Sequence, residues 1–370
     1  MEHATVDWLT TVTLAMLLLL LLLPLSLLMQ SLRVSAAAAD PYPLLDVDSF
    51  ASLHLAAWRI ELPAEPPAVL LEPEFPWDAD VHAEGTVLID PFDHMYKAFY
   101  VSAPETYPSG GQTQGRVLTL ATSVDGLNWT RPLLDVVPWG NSSKTNILLK
   151  IASAGAELSQ ISVFAHPGAL ISQRYEMFLL GSEPPPSFTK AAAAGRLVLP
   201  GACGTVSHEH CTYRMVSSDA IHWEPIEVLD PNSDSDGSFV FREPDGSFAA
   251  YIKASTAAPP GGLAPYDVGA GGQRMMVISR SVNGSIWSRP FYCSQPDWRD
   301  SQGDQFVGLY GSDGPTEGFC GIDGKPVYLG LVGVFHTLAQ TIDNQWAISK
   351  DGETWWRPER RPNVCVGQSV

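Results

Sequence analysis

The amino-acid sequence predicts an all-β domain built from repeated hairpins, and three observations support this prediction. The 370 residues include 31 Gly and 30 Pro, a composition typical of a turn-rich fold. One short phrase that predicts a turn and ends in Trp occurs four times. The segments between these phrases are rich in β-branched and aromatic residues and have almost no helical periodicity.

The repeated phrase has the pattern Ser-x-Asp/Asn-Gly/Ala-x-x-Trp. Its four copies are Ser123–Trp129, Ser217–Trp223, Ser281–Trp287 and Ser349–Trp355. Asp or Asn followed by Gly favours the positive φ of a hairpin turn, which places the Trp on the next strand. The four tryptophans lie 94, 64 and 68 residues apart, spacings that suit the blades of a β-propeller. Each phrase is therefore predicted to be the outer hairpin of one blade, with an irregular β-sandwich as the alternative.

Further β-rich runs precede each phrase and supply the inner strands of each predicted blade. These runs are Gly85–Asp90 with Tyr96–Ser102, Ile161–Ala165 with Tyr175–Leu180, Phe239–Arg242 with Phe248–Lys253, and Val327–Phe335. The segments 183–186, 191–195 and 257–272 are rich in Pro, Gly or Ala and are predicted to be surface loops.

The N-terminus contains a targeting or anchoring segment. Leu9 to Met29 has no charged residue, and its length lies in the range of about 17–25 residues that spans a bilayer as a helix. Ala37 and Ala39 form an A-x-A cleavage pattern. We therefore expect residues 1–39 to be a signal peptide or a membrane anchor with a short stalk, 40–75 a lead-in segment and 76–370 the propeller.

Sequons and cysteines predict that the domain lies in the secretory pathway, either membrane-anchored or secreted. Glycosylation sequons begin at Asn128, Asn141 and Asn283. Cysteine usage fits the same compartment, because two disulfides could form, Cys203 with Cys211 and Cys293 with Cys320, which leaves Cys365. Buried free thiols are the alternative for some of these cysteines. Arg33, behind the hydrophobic segment, favours the opposite, cytoplasmic orientation by the positive-inside rule.

Charge and motif content narrow the function classes. Forty acidic residues against 22 basic ones give a formal charge of −18, which disfavours nucleic acid as a partner. The sequence contains no phosphate-binding loop, no zinc motif and no Ser-His-Asp order, so we expect neither a cofactor nor a metal. Sugar sites lined by carboxylates are compatible with the acidic composition.

Several phrases, taken in chain order, resemble one group of known proteins. They are Pro76-Trp77, Glu84-Gly-Thr-Val87, Tyr96-Lys97, Trp139-Gly140 with Lys144 and Asn146, and Tyr328-Leu-Gly330 with His336. Over roughly Pro76 to Pro362 the chain resembles the five-bladed β-propellers of glycosyl hydrolase families 32 and 43, in particular a branch with S-x-D-G-x-x-W hairpins. The resemblance implies a five-bladed-type ring, carbohydrate as the partner and hydrolysis of glycosidic bonds as the activity.

The sequence departs from this family in two ways. The chain reaches Val370 shortly after the fourth hairpin phrase, whereas a further blade needs about 50 more residues. An incomplete last blade is therefore the alternative to a closed ring. The Asn-Asp-Pro-Asn phrase of invertases is absent, so a nucleophile can be placed by position only.

Six-bladed sialidases are the nearest competing fold, but they need an arginine cluster, and the predicted inner strands offer little Arg beyond Arg242.

Glycoside cleavage needs one carboxyl group as acid and a second as nucleophile or base. The innermost strands of a propeller converge on its channel, so acids at the starts of these strands can face each other. This rule selects Glu84 as nucleophile or base, Asp304 as general acid, and Asp236 to orient the sugar or raise its neighbour's pKa. Near competitors are Asp80, Asp234 and Glu317.

Five further residues are candidates for sugar binding. Trp77 and Trp139 are expected to stack on pyranose faces, and Lys144, Asn146 and His336 to form hydrogen bonds with hydroxyls. A buried structural role is the alternative for the tryptophans and for His336. Two functions remain open at this point, a glycosidase and a non-catalytic carbohydrate-binding or scaffold propeller.

Overall fold

The computed structural model describes residues 69–104, 115–151, 157–197, 210–229, 238–255, 274–297, 299–301, 303–311, 327–357 and 368–369. The predicted hydrophobic segment Leu9–Met29 lies outside these ranges, as do Cys203, Asp236 and Cys320. None of the helices in the described ranges is long and apolar enough to cross a membrane.

The regular secondary structure of the described residues is almost entirely β-strand. The strands are β1 (Asp80–Ile89), β2 (Tyr96–Ala103), β3 (Val117–Ser123), β4 (Trp129–Thr130), β5 (Ile147–Lys150), β6 (Leu158–Ala165), β7 (Tyr175–Gly181), β8 (Cys211–Ser217), β9 (Trp223–Leu229), β10 (Ser238–Arg242), β11 (Phe248–Ser255), β12 (Arg274–Ser281), β13 (Phe291–Ser294), β14 (Asp304–Gly311), β15 (Tyr328–His336), β16 (Thr341–Ser349), β17 (Trp355–Trp356) and β18 (Gln368–Ser369). One α-helix, α1 (Pro186–Ala193), and a 3-10 turn, Ile171–Gln173, interrupt them.

Four antiparallel sheets form the domain in the described ranges. Blade 1 contains β1–β4 in order, blade 2 β6–β9, blade 3 β10–β13 and blade 4 β14–β17, while β5 pairs with β3 and β18 with β16. The innermost strands β1, β6, β10 and β14 pack against one another in that order. The predicted all-β propeller arrangement is confirmed for four blades, and the five-bladed ring stays a prediction.

Hydroxyl groups join the innermost strands of neighbouring blades. Thr86 on β1 donates to the Ile161 carbonyl at 2.7 Å and accepts the Val163 amide at 3.0 Å. Ser162 on β6 accepts the Val240 amide of β10 at 3.1 Å. These bonds satisfy buried backbone groups between blades, so they fix how far one inner strand is shifted along the next.

The repeated phrase has the same geometry in all four blades. Each Trp pairs with the Ser of its own phrase, as Ser123 with Trp129, Ser217 with Trp223, Ser281 with Trp287 and Ser349 with Trp355. The Ser hydroxyl accepts the amide of the fourth phrase residue at 2.9 Å in every copy. The fourth residue has positive φ throughout, including Ala220 at +64°. The predicted equivalence of the four tryptophans is confirmed.

The tryptophans of blades 2 to 4 pack on the preceding blade. Trp223 contacts Phe99, Trp287 contacts Phe178 and Trp355 contacts Tyr251, with ring centroids 6.2, 6.2 and 5.8 Å apart. Each of these partners is the fourth residue of the second strand of its blade. Trp129 contacts Tyr96 of its own blade at 6.5 Å. Trp223 and Trp355 are buried, as expected, whereas Trp129 and Trp287 are half-buried.

The end of the lead-in segment covers the free face of blade 1. Leu71 packs in a cluster with Ala98, Tyr100, Ala121 and Trp129. Arg131 lies 3.0 Å from the carboxylate of Glu74 and 3.1 Å from that of Asp78, which ties the segment to the outer part of the blade. In blades 2 to 4 the corresponding face packs on the preceding blade. In blade 1 this face instead packs on the end of the lead-in segment, which is not a strand.

The cysteines correct one of the two expected disulfides. Cys211 is disulfide-bonded, which is compatible with the expected bond to Cys203. Cys293 is a free, buried cysteine, so the expected pair with Cys320 is wrong. Its side chain packs with Phe306, Leu309 and Trp355, and burial raises the pKa of the thiol. Packing in the core between blades 3 and 4 explains this cysteine better than a covalent link does.

We expect Trp355→Ala to lower the free energy of unfolding by about 3–5 kcal/mol, because it removes a buried aromatic side chain that joins two blades. Trp129→Ala should cost clearly less, since Trp129 is half-buried and contacts only its own blade among the aromatic rings described. Denaturant unfolding of both variants beside the wild type measures the difference. Equal losses would contradict the inter-blade role of Trp355.

Candidate functional site

Charged side chains collect at one end of the propeller, called here the upper end, where β1, β6, β10 and β14 begin. Because each blade is an antiparallel meander, its third strand runs in the same direction as its first and also begins at the upper end. Residues at the starts of these two strands can therefore approach each other.

Three blades place a basic residue at the same register position of this end. Arg116 precedes β3, His210 precedes β8 and Arg274 begins β12. Arg274 pairs with Ser255, the eighth residue counted from the start of β11. Arg116 and His210 each lie one position beyond the last β2–β3 and β7–β8 pairs, which is the corresponding eighth position. We call these three residues the basic ring.

Glu84 lies in an irregularity of β1, where the register with β2 shifts between His82 and Thr86. Gly85 permits this backbone path, because a Cβ atom there would lie 1.8 Å from the Phe99 carbonyl oxygen. The Glu84 carboxylate is 3.4 Å from Nη1 of Arg116, and 39% of its side chain is exposed. Burial raises the pKa of Tyr310 on β14, and the charge of Glu84 adds to this effect. Glu84 therefore lies near blade 4 as well as beside Arg116.

Glu157 directly precedes β6 and accepts a hydrogen bond from Nε2 of His210 at 2.8 Å. This bond is the largest cause of a lowered Glu157 pKa; burial opposes it, and the charges of Arg116 and Lys253 add to the lowering. Its side chain is 40% exposed. Glu157 is consequently an ionised carboxylate that solvent or a ligand can reach.

Lys253 on β11 is buried, and its pKa is lowered to about 8. Desolvation is the first cause and the charge of Arg274 the second, while the charge of Glu157 acts in the opposite direction. Glu84, Arg116, Glu157, His210, Lys253 and Arg274 form a continuous set of electrostatic neighbours, which we call the upper site. Perturbed lysines of this kind are frequent at functional sites.

Asp304 begins β14 at the upper end, as expected, but its hydrogen bonds differ from those of a general acid. Its Oδ1 is 3.0 Å from Nδ1 of His336, and its Oδ2 accepts the Ser301 amide at 2.9 Å. Nε2 of His336 is 3.2 Å from the carboxylate of Asp343. Asp304 is only 5% exposed. Because both carboxylate oxygens have hydrogen-bond partners and the side chain is buried, these contacts favour a structural role, and the role of Asp304 as proton donor stays a prediction.

The chain of hydrogen bonds continues outward from Asp343. Gln345 donates to Asp343 at 3.1 Å and accepts from Arg357 at 2.8 Å, and Arg357 also binds Asp300. His336 therefore belongs to a network that spans blade 4 from its innermost to its outermost strand, and this is a structural role.

Trp77 and Asn146 are buried in blade 1 rather than at a channel mouth. The indole of Trp77 donates to Asn146 at 2.8 Å and stacks on Phe75 with ring centroids 4.7 Å apart. Asn146 is fully buried and donates to the Leu120 carbonyl at 2.9 Å. These contacts leave no face of Trp77 open for a sugar, which corrects the expectation for both residues.

Trp139 and Lys144 lie in the segment between β4 and β5. The half-buried Trp139 already has Nζ of Lys150 over its ring, 4.1 Å from the centroid. Lys144 is exposed, 3.7 Å from the carboxylate of Asp135. Neither residue has a described contact with the upper site.

Asp236, the remaining predicted catalytic residue, lies outside the described residues, and its role stays a prediction.

Arg116, Glu157, His210 and Lys253 were not found by sequence reasoning, although one signal was present. Arg116, His210 and Arg274 each lie seven residues before the Ser of a repeated phrase. The phrase therefore locates not only the outer hairpin but also the start of the third strand. Among the described residues, no group of three or more His, Cys, Asp and Glu side chains is arranged to hold a metal ion.

Comparisons with known proteins identify no family. No family model matches the chain, and no curated protein matches it. The chain is similar to the endo-arabinase of Bacteroides thetaiotaomicron, with 9% identity, 78% of this chain and 82% of that one covered, and a TM-score of 0.45.

Two further solved structures are similar to the same extent. The GH93 alpha-L-arabinofuranosidase of Fusarium graminearum has 11% identity, with 80% of this chain and 71% of that one covered and a TM-score of 0.43. The N-acetylgalactosamine deacetylase of F. plautii has 12% identity, 78% and 72% coverage, and a TM-score of 0.45. Similarity this distant carries no functional argument.

We expect His336 to make stability depend on pH. Burial alone would lower the His336 pKa, but hydrogen bonds to Asp304 and Asp343 outweigh burial and raise it above 6.5. Its contribution is therefore fully present below pH 6.5 and is lost as pH rises through the raised pKa. As the pH rises above 6.5, the free energy of unfolding should fall more in the wild type than in His336→Gln. Parallel pH profiles of the two proteins in denaturant unfolding would contradict the network.

Proposed function

We propose that this protein hydrolyses glycosidic bonds at the upper site, with Glu84 and Glu157 as the carboxyl pair. The observation that supports this most directly is that two half-exposed carboxylates, from the inner strands of different blades, both interact with Arg116, Glu84 as an ion pair and Glu157 through its charge. Glycoside hydrolysis needs two carboxyl groups that flank the bond to be broken. The resemblance of the sequence to five-bladed glycosyl hydrolases favours the same chemistry.

The surroundings of the two carboxylates suggest different roles. Glu157 receives a hydrogen bond from His210 and has a lowered pKa, so it suits the residue that remains ionised and acts as nucleophile or activates water. The other member of the pair must then protonate the leaving oxygen, and we assign this role to Glu84. Tyr310 on the inner strand of blade 4 lies close enough to Glu84 for the carboxylate charge to raise its pKa.

A non-catalytic carbohydrate-binding propeller is the second candidate. One observation favours it: each carboxylate already has a basic partner, Arg116 for Glu84 and His210 for Glu157. Such pairs can position hydroxyl groups of a sugar without breaking a bond. Both candidates bind carbohydrate, and they differ in whether the carboxyl groups transfer protons and the glycosidic bond is broken.

Glu84→Gln and Glu157→Gln should each lower turnover by a factor of about 10² to 10⁴, the usual contribution of a positioned proton-transfer group. The measurement is initial rates of the purified propeller on a panel of chromogenic glycosides. Glu224→Gln, an exposed glutamate on β9, is the matched control and should leave the rates unchanged.

His210→Ala should move the acidic limb of the pH–rate profile to higher pH, because it removes the bond that most lowers the Glu157 pKa.

Retained turnover in both glutamine variants would exclude this carboxyl pair. Loss of turnover in Asp304→Asn alone, with normal unfolding, would return the acid role to Asp304. If the wild type cleaves no glycoside but binds oligosaccharides on a glycan array, the binding propeller is the better description.

We also propose that the domain lies in the lumen of the secretory pathway or outside the cell. The acceptor residues Asn128, Asn141 and Asn283 are all exposed, so a glycan on any of them would project into solvent. Protein made in a glycosylating eukaryotic cell should gain mobility after endoglycosidase treatment, and the triple Asn→Gln variant should not. An unchanged mobility, with a tag at Val370 accessible from the cytosol, would refute the proposal.

A further inference from the structure

The indole of Trp223 departs from the repeated phrase. In the other three copies the indole N–H donates to the carbonyl of the fourth phrase residue. These bonds are Trp129 to Gly126 at 3.0 Å, Trp287 to Gly284 at 2.9 Å and Trp355 to Gly352 at 3.2 Å. Trp223 is only 9% exposed, and its buried Nε1 has no hydrogen-bond partner among the described residues. Buried donors are normally paired, so this indole requires an explanation that the repeat does not supply.

Trp223 lines a cavity of about 510 Å³ between blades 1 and 2, called here the lateral cavity. Most of its walls are apolar, and they include Leu148 of β5, Met215 of β8 and Val136 from the segment between β4 and β5. The exposed Pro138 also lines the cavity, which is therefore open to solvent. A cavity of this size with apolar walls and a few polar groups is typical of a small-molecule site.

Ser187 supplies a second polar group without a partner in the wall of the same cavity. It is the second residue of α1, and its Oγ is buried with no hydrogen-bond partner among the described residues. The helix is fixed on blade 2 by Phe188, which is fully buried and packs on Tyr213 with ring centroids 5.0 Å apart. The indole of Trp223 can only donate, whereas the Ser187 hydroxyl can donate or accept. Both groups can therefore bind the same kind of atom, an acceptor oxygen.

We infer that the lateral cavity binds a small, uncharged, apolar molecule that carries an acceptor oxygen, such as a ketone or an ester. The oxygen accepts a hydrogen bond from Trp223 or Ser187, and the rest of the molecule packs on Leu148 and Met215. A sugar does not suit these walls, because its hydroxyl groups would lose water there without gaining enough partners. None of the residues of the upper site lines the lateral cavity, so this inference goes beyond the proposed function.

Lys150 also lines the lateral cavity, and its ammonium group lies 4.1 Å from the centroid of the Trp139 ring. A carboxylate is the ligand group that this lysine would favour. The two unpartnered groups are neutral, however, and neither needs a charged acceptor. Benzoate therefore serves as the probe that separates recognition by Lys150 from recognition by Trp223 and Ser187.

The experiment compares acetophenone with ethylbenzene, which has nearly the same shape but no oxygen, and with benzoate. Each is titrated into the purified protein with isotope-labelled tryptophan indoles, and binding is followed by NMR. We expect acetophenone to bind about 3- to 10-fold more tightly than ethylbenzene, the effect of one or two neutral hydrogen bonds. Acetophenone should also shift the indole N–H signal of Trp223, which is identified by its absence in Trp223→Phe.

Ser187→Ala and Trp223→Phe should each reduce the preference for acetophenone. Two matched controls should leave it intact: Thr189→Ala, at an exposed residue of the same helix, and Trp287→Phe, whose indole already donates to a carbonyl. Val136→Trp should fill the cavity and abolish binding of both molecules. Thermal unfolding checks that each variant is folded.

Equal affinity for acetophenone and ethylbenzene would overturn the inference, as would an unchanged preference in both Ser187→Ala and Trp223→Phe. Tighter binding of benzoate than of acetophenone would overturn the neutral ligand class. Failure of all three probes to bind would overturn the site itself. None of these results would affect the proposed hydrolase, because turnover of glycosides by Glu84 and Glu157 is measured separately.

Discussion

The structure depends on one repeated contact, in which the outer-hairpin tryptophan of blades 2, 3 and 4 packs on the second strand of the preceding blade. A single β-sheet with a polar turn cannot bury both of its faces, so each blade needs a neighbour. The phrase solves this locally, because its Ser and its Asp or Asn bind the backbone of the turn and leave the indole on one side of the sheet. The rings of Phe99, Phe178 and Tyr251 then receive the indoles of the following blades.

This constraint also determines where the residues of the upper site lie. Once blades pack in the same way, equivalent register positions meet at the same end of the propeller. Arg116, His210 and Arg274 occupy one such position, seven residues before the serines of three successive phrases. In three blades the third strand therefore spans a constant length, with the outer hairpin at one end and a basic residue at the upper end. Lys253 is an addition to this repeat rather than a member of it.

The repeat made much of the fold predictable from sequence, because a phrase with its own hydrogen-bonding logic recurs four times. Strands such as β2 and β7 were placed within a residue or two of their bounds. The site was less predictable: Glu84 was found by its place on an inner strand, whereas Glu157 precedes a strand whose start is not marked in the sequence. The prediction for Trp77 and Asn146 was wrong because the sequence does not show whether an indole donates to a buried amide or faces a ligand. The Cys293 pairing failed for the same reason, since burial in a core leaves no signature in spacing.

Charge balance is the property that separates the possible roles of the upper site. A glycosidase needs one ionised carboxylate and one that can give up a proton, so the surrounding cations must stabilise only one of the two strongly. His210 and Arg116 both lower the pKa of Glu157, while Glu84 has a single described basic contact, at the longer distance of 3.4 Å. The asymmetry arises because Glu157 lies at the junction of three blades, close to Arg116 of blade 1, His210 of blade 2 and Lys253 of blade 3, whereas Glu84 lies at the edge of blade 1 that faces Tyr310.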